Sequence, residues 1–353
     1  MMHGQGLCLC EQWLQCGLAS RVWLKQTMLR GQAVILVFIF VLQSNVSRIE
    51  AEKKGTVLIL GSGGLVGRAL TKRMAEEGFE ILHVRNREHI DLRVSGALDE
   101  FNATHIDYCF FLACEVGGSK FIESAEQDTQ LGIIESNLRI YQTVLPYLAH
   151  RRIPFVFTSS YLQGTENSYG VVKRLGEVWV HTLGGLGRVL RLWNVYGAEA
   201  IGAKSHVLSD WAHKCVTAGA VASLTDGREE RQFVHVDDVA GALRESMRLH
   251  STLDMVSDVS TGGWVDMRSV AAALAAASDN TCAVTFTHTV AAYRARLSPD
   301  MNTTLHKHWK PTVSLLQGCR MLLDEYWEKL GCDSKEATCK GGRKEQLDVQ
   351  SEL

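Results

Sequence analysis

Tyr169 and Lys173 stand four residues apart in the run Tyr169-Gly170-Val171-Val172-Lys173, so a helix there stacks a phenol and an ammonium on one face. A cation beside a tyrosine favours the phenolate, which turns an ordinary hydroxyl into a usable proton acceptor near neutral pH. About a hundred residues upstream the chain reads Gly61-Ser62-Gly63-Gly64-Leu65-Val66-Gly67. Glycines 61, 64 and 67 let the backbone turn sharply and approach a diphosphate, whose charge sits on the N-terminus of the following helix. Either piece alone is weak. In this order they describe hydride transfer, with a dinucleotide in the glycine turn and a tyrosine moving the proton.

Such groups need a scaffold. The glycine turn follows the apolar run Thr56–Leu60 and opens an amphipathic stretch, which reads as strand, tight turn, helix. Further strands are expected over Glu80–Arg85, Asp107–Ala113, Pro154–Thr158 and Arg188–Leu192, with helices over Val66–Glu77, Ile122–Ala149 and Ser168–Leu183. This alternation predicts a parallel sheet with helices on both faces and ligands at the carboxyl ends of the strands. After Gly197 the rhythm loosens. His206–Ala218, Val221–Leu224, Met255–Val259, Met267–Ala277 and Ala283–Thr287 read as a smaller mixed lobe. The expected class is α/β, a Rossmann-type doubly wound parallel sheet with a smaller C-terminal substrate-binding lobe. Its divisions are an extension over 1–54, a nucleotide-binding domain over 55–197, a lobe over 198–330 and a flexible tail over 331–353. Residues 230–250, with a strand at Gln232–Val236 and a helix at Asp237–Leu249, return to the nucleotide-binding domain.

Composition narrows the class. The chain has 353 residues, a formal net charge of -2 and 46% apolar residues, so it can bury a large core and lacks the basic excess of a nucleic-acid binder. In the extension, Ala33 to Leu42 is wholly apolar and follows Arg21, Lys25 and Arg30. Ten helical residues reach only about 15 Å, half a bilayer core. A secretory signal or a marginal membrane anchor is expected, with localisation to the endoplasmic reticulum or Golgi; the alternative is a cytoplasmic protein with a spurious extension. Sequons at Asn45, Asn102 and Asn302 matter only in the first case. Ten cysteines are scattered without zinc-like spacing, three of them in the extension, and a full disulfide framework is not expected. Cys109 and Cys114 read as buried thiols. The histidines at 288, 306 and 308 do not argue for a metal site, and no metal is expected.

From about Gly55 to Leu330 the chain resembles the extended short-chain dehydrogenase/reductase superfamily, within it the nucleotide-sugar epimerases and reductases. Besides the two motifs above, the resemblance rests on Phe111-Leu112-Ala113, on Phe155 to Ser160, on Arg191 to Gly197, on Arg231 to Val239, and on Lys310-Pro311 with Leu315 to Gly318. It implies that Gly61, Gly64, Leu65, Val66, Gly67, Leu112 and Ala113 border an NADP or NAD cofactor, with Asp91 toward the adenine. Where NAD enzymes close the second strand with an acid, this chain has Arg85, with Arg87 two residues on. A guanidinium suits a 2′-phosphate, so the local chemistry leans to NADP. The same resemblance implies that Ser159, or Ser160 one place on, holds the reacting oxygen. Tyr169 would then transfer the proton, while Lys173 binds the nicotinamide ribose and lowers the tyrosine pKa. Asn194 and Arg231 would meet the diphosphate of a nucleotide-sugar substrate.

Part of the chain is similar to GDP-fucose synthases, at Leu112 to Gly118, Glu135-Ser136-Asn137 and Ser205-His206-Val207. That likeness implies a catalytic or substrate-contacting role for His206 and a substrate contact for Lys214. Tyr161 stands where those enzymes have a second acid/base cysteine. No carboxylic acid lies in Thr158-Ser159-Ser160-Tyr161, which disfavours dehydratase and decarboxylase chemistry. The leading expectation is an NAD(P)-dependent nucleotide-sugar epimerase. The alternatives are an NADPH-dependent reductase or epimerase-reductase, and a non-catalytic nucleotide-binding protein. The retained tyrosine and lysine weigh against the last. The long helices resemble those that pair across the superfamily's usual homodimer.

Overall fold

The computed structural model describes residues 54–290, 302 and 304–331. In chain order the elements begin β1 (Thr56–Leu60), α1 (Leu65–Glu76), β2 (Glu80–Val84), β3 (Tyr108–Phe111), α2 (Ser119–Ile122) and α3 (Gln127–Arg151). There follow β4 (Phe155–Ser160), α4 (Ser168–Thr182), β5 (Gly187–Leu192), β6 (Asn194–Tyr196), α5 (Val207–Ala218) and β7 (Ala220–Ala222). The rest are β8 (Glu230–Arg231), β9 (Phe233–His235), α6 (Val236–Arg248), β10 (Val256–Val259), β11 (Val265–Asp266), α7 (Met267–Ala277), β12 (Ala283–Thr285) and α8 (Leu315–Lys329).

The central sheet has six parallel strands in the order β10-β5-β4-β3-β1-β2. From β1 the chain steps outward to β2, then crosses back to β3 on the other side, so the strand order reverses between β1 and β3. In such sheets the crevice outside this reversal receives the ligand. β1 is apolar without alternation because both its faces are covered. Val57 and Ile59 join Leu70, Met74, Phe110 and Leu243 on one face, while Leu58 and Leu60 join Phe111, Tyr141, Leu145 and Phe157 on the other. A third core, around Leu208, Trp211, Leu274, Leu322 and Trp327, fills the lobe built by α5, α7 and α8.

Two placements differ from the sequence reading. Met255–Val259, expected in the lobe, supplies β10, which pairs with β5 at the edge of the main sheet. Residues 230–250 return to the nucleotide-binding domain as expected: β9 pairs with β6, and α6 packs on α1. The long helix expected over Ile122–Ala149 is two helices. Gln130, in the first turn of α3, donates its amide to the carbonyls of Ile122 and Ser124 at 3.3 and 2.9 Å, which holds the break.

One disulfide, Cys215–Cys282, joins α5 to the residue preceding β12, with 5.0 Å between the Cα atoms. Cys109 and Cys319 are buried free thiols and Cys114 is half-buried. Among the described residues no helix is long and apolar enough to cross a membrane. The apolar stretch at 33–42, the sequon at Asn45 and the tail beyond Gly331 lie outside the described residues.

Candidate active site

A cavity of about 390 Å³ opens at the carboxyl ends of β1, β3 and β4, and it gathers most of the residues singled out in the sequence. Gly61 leaves β1 with φ of 90°, a left-handed value that favours glycine, and a Cβ there would meet the Ala113 amide nitrogen at 2.9 Å. A Cβ on Gly67 would run into the Gly61 carbonyl, so only glycine lets α1 lie this close to the turn. Gly64 caps α1 without a side chain, leaving the first-turn amides free for an anion. Leu65, Val66, Leu112 and Ala113 line the same wall. The residues present fit a dinucleotide with its diphosphate at Gly61–Gly67.

Beyond β2, Arg85 is exposed at the cavity rim, whereas Arg87 is ion-paired with Glu115. Glu115 also binds Lys204, from the loop before α5, and is anchored by Asn137, which accepts its N–H at 3.0 Å and donates to its carbonyl at 3.1 Å. Asp91 lines the cavity, but its carboxylate is taken by the Arg93 guanidinium at 2.6 Å, which holds its pKa down at about 2.

Tyr169, Lys173 and Glu177 follow one another on one face of α4, all buried against β4. The Lys173 ammonium donates to the Thr158 carbonyl at 2.8 Å and lies 5.7 Å from the centre of the Tyr169 ring. Burial pushes the Tyr169 phenol well above its ordinary range, with the Ser160 hydroxyl, within hydrogen-bonding reach, acting in the opposite direction. Desolvation thus works against the phenolate expected beside Lys173. The ammonium keeps two further hydrogens beyond the one given to the Thr158 carbonyl.

The two serines divide their work. Ser160 faces Tyr169 and accepts the Leu162 N–H at 3.2 Å. Ser159 points into the interface with α4, farther along the helix, and donates to Glu177 at 2.5 Å, and Glu177 in turn holds Arg191 at 2.6 Å. The serine beside the tyrosine is thus Ser160, one place after the residue that the sequence pattern favours.

On the opposite wall, Tyr161 stacks on Trp193 with 4.9 Å between ring centres and donates its hydroxyl to Asn194 at 3.1 Å. Arg231, from β8, reaches the same hydroxyl. His206, at the N-cap of α5, lines the cavity and is held by Glu199 through its ring nitrogen at 3.0 Å. Lys214 is not brought in: it sits farther along α5, paired with Asp210 at 2.7 Å, and does not line the cavity. Three site residues, Glu177, Glu199 and Glu115, do not emerge from the sequence. Glu177 carries a signal there, as it continues the four-residue spacing of Tyr169 and Lys173. Glu199 and Glu115 lie in loops, where no periodicity marks a contact.

A model of the NAD dependent epimerase/dehydratase family matches residues 57–254. Among curated proteins, GDP-L-fucose synthase from Escherichia coli is 28% identical over 251 residues, covering 60% of this chain and 77% of that enzyme. UDP-2-acetamido-2,6-beta-L-arabino-hexul-4-ose reductase from Pseudomonas aeruginosa is 26% identical over 196 residues, covering 54% of this chain and 49% of the reductase. Among solved structures, a GDP-6-OMe-4-keto-L-xylo-heptose reductase from C. jejuni superposes with a TM-score of 0.65 at 19% identity, covering 78% of this chain and 98% of that one. UDP-glucose 4-epimerase from Thermotoga maritima gives 0.62 at 19% identity, over 78% and 99% of the two chains. At these identities the superpositions show the fold.

Proposed function

We propose, from the premise that this chain belongs to the NAD dependent epimerase/dehydratase family, that it is an NAD(P)-dependent epimerase or reductase acting on a nucleotide sugar. The observation that carries this reading is the convergence of Ser160, Tyr169 and Lys173 on the cavity headed by the Gly61–Gly67 turn. A bound nicotinamide supplies the hydride donor or acceptor. In the reductive direction the neutral Tyr169 phenol gives its proton to a sugar carbonyl oxygen that Ser160 holds by a hydrogen bond. In the oxidative direction the Tyr169 phenolate, favoured by the Lys173 ammonium beside it, takes the hydroxyl proton and becomes the phenol.

The substrate's diphosphate is assigned to Asn194 and Arg231, which meet at the Tyr161 hydroxyl. Epimerisation is the first reading. A reductase that consumes NADPH is the second, supported by the reductase and synthase names of the relatives and by exposed Arg85, free to pair with a 2′-phosphate. Incubating the purified protein with UDP- and GDP-sugars separates them. A changed sugar configuration without net absorbance change at the nicotinamide band marks an epimerase, and stoichiometric NADPH loss marks a reductase. No turnover of any nucleotide sugar with either cofactor would remove both.

Two further features belong to this reading. A homodimer through α3 and α4 is supported by Val171, Leu175 and Val178, which form an exposed apolar strip at helical spacing on α4. Residence in the secretory pathway, with the N-terminal segment as signal or membrane anchor, is supported by the Cys215–Cys282 disulfide and by the exposed sequon at Asn102. A full-length reporter fusion confined to the cytosol, with no membrane fraction, would contradict it.

A further inference from the structure

We infer that Glu199 is a positioning residue that fixes the tautomer of His206 and turns its Nε2 to the substrate. The inference rests on the reading of this cavity as a site of proton transfer to a nucleotide sugar. The Glu199 carboxylate accepts the backbone N–H of His206 at 2.5 Å, and its two oxygens lie 3.1 and 3.0 Å from the His206 Nδ1. One carboxylate therefore grips both the main chain and the ring of the residue that caps α5. An ionised carboxylate can only accept, so the hydrogen between them belongs to Nδ1. In the neutral ring the lone pair is then at Nε2. Among the described residues no hydrogen bond engages Nε2, and the ring lines the cavity together with Tyr161 and Tyr169. The burial fits this division: the His206 side chain is 37% exposed and that of Glu199 is 13% exposed.

Glu199 is itself held from two sides. The Tyr326 hydroxyl, from α8, accepts the Glu199 N–H at 3.2 Å and donates to its carbonyl at 3.0 Å. One residue earlier, the Ala198 carbonyl accepts from Arg68 of α1 at 2.9 Å. The other cation of this loop, Lys204, is engaged by Glu115, which leaves the Glu199 carboxylate to His206. A loop pinned by a helix on each side, with one half-buried carboxylate aimed at one imidazole, is the arrangement that presets a ring for proton transfer.

The test is the position of the ring hydrogen. In full-length protein labelled with 15N-histidine, and with His206 assigned through His206→Gln, nitrogen–proton correlation spectra should show Nδ1–H and an unprotonated Nε2. Glu199→Gln offers an amide that can donate to Nδ1, so it should move the hydrogen to Nε2. If the wild-type protein turns over UDP-glucose or GDP-L-fucose, this variant should lose about 10²-fold in kcat with KM little changed, and Glu199→Asp, which keeps the charge, should recover part of the loss. An Nε2–H tautomer in the wild-type protein would overturn the inference, and so would a Glu199→Gln variant with unchanged tautomer and kcat. Should the wild-type protein turn over no nucleotide sugar, the proposed function fails, while the ring spectrum still decides the role of Glu199. The wild-type spectrum also decides it if the variants do not fold.

Discussion

Ser159 donates its hydroxyl to Glu177 at 2.5 Å, and both side chains are buried between β4 and α4, two helical turns along α4 from Tyr169. On the proposed reading this contact makes Ser159 structural and leaves Ser160, beside Tyr169, to the reacting oxygen. Ser160→Ala should lower turnover by about 10- to 10²-fold with fold stability nearly intact, because it removes one hydrogen bond to the reacting oxygen. Ser159→Ala should instead lower stability by about 1–3 kcal/mol, since Glu177 loses a buried donor, and leave turnover within a few-fold. Denaturant unfolding and steady-state rates on the two variants check the ranking. The reverse ranking would return the reacting role to Ser159.

Arg85 and Arg87 stand two residues apart at the adenosine end of the cavity, yet among the described residues only Arg87 is committed to a carboxylate, that of Glu115. Arg85→Asp should therefore shift preference from NADP toward NAD, by removal of a 2′-phosphate partner and supply of a ribose acceptor. Arg87→Ala should change the ratio less. Dissociation constants for both cofactors measure this, and unchanged relative affinities in Arg85→Asp would end the NADP argument.

The Cys215–Cys282 bridge closes a loop with a sequence separation of 67 in the lobe that carries His206. In the chain-entropy account such a loop contributes about 4 kcal/mol. Reduction, or Cys215→Ser, should lower the melting temperature by roughly 10 °C for a domain of this size. Thermal unfolding with and without dithiothreitol reads it directly, and coincident curves would mean that the two cysteines do not bridge in solution.

Val171, Leu175 and Val178 are 37%, 42% and 57% exposed along α4. A charge in the middle of that strip, Leu175→Glu, should convert a dimer to a monomer without unfolding the chain. Light scattering coupled to size exclusion gives the mass. A wild-type monomer at micromolar concentration would remove the proposed interface.

Much of the fold and of the site is legible in the amino-acid order alone. β1 and the glycine turn are plain because an unbroken apolar run followed by spaced glycines has few other meanings, and Tyr169 with Lys173 because helical spacing fixes their common face. Other features depend on tertiary contacts that no local pattern encodes. β10 joins the main sheet only because β5 offers it an edge, and Val256–Val259 itself reads the same in either domain. That Ser159 meets Glu177, eighteen residues on along the chain, and through it Arg191 on β5, depends on how α4 packs against β4. The burial that opposes ionisation of the Tyr169 phenol depends on packing that helical spacing alone does not show. Lys214 leaves the site for a simpler reason: Asp210, one turn earlier on α5, takes its ammonium.

The most direct test is Tyr169→Phe, assayed for turnover of a nucleotide sugar and for cofactor affinity in the same preparation. The substitution keeps the buried ring against β4 and deletes only the proton carrier. Turnover should fall by about 10²–10⁴-fold while the cofactor dissociation constant stays within a few-fold of wild type. Lys173→Met, in contrast, should damage both, because the same ammonium is assigned to the nicotinamide ribose and to the Thr158 carbonyl. Near-normal turnover in Tyr169→Phe would contradict the account at its centre and leave His206, held by Glu199, as the group to examine for the proton transfer.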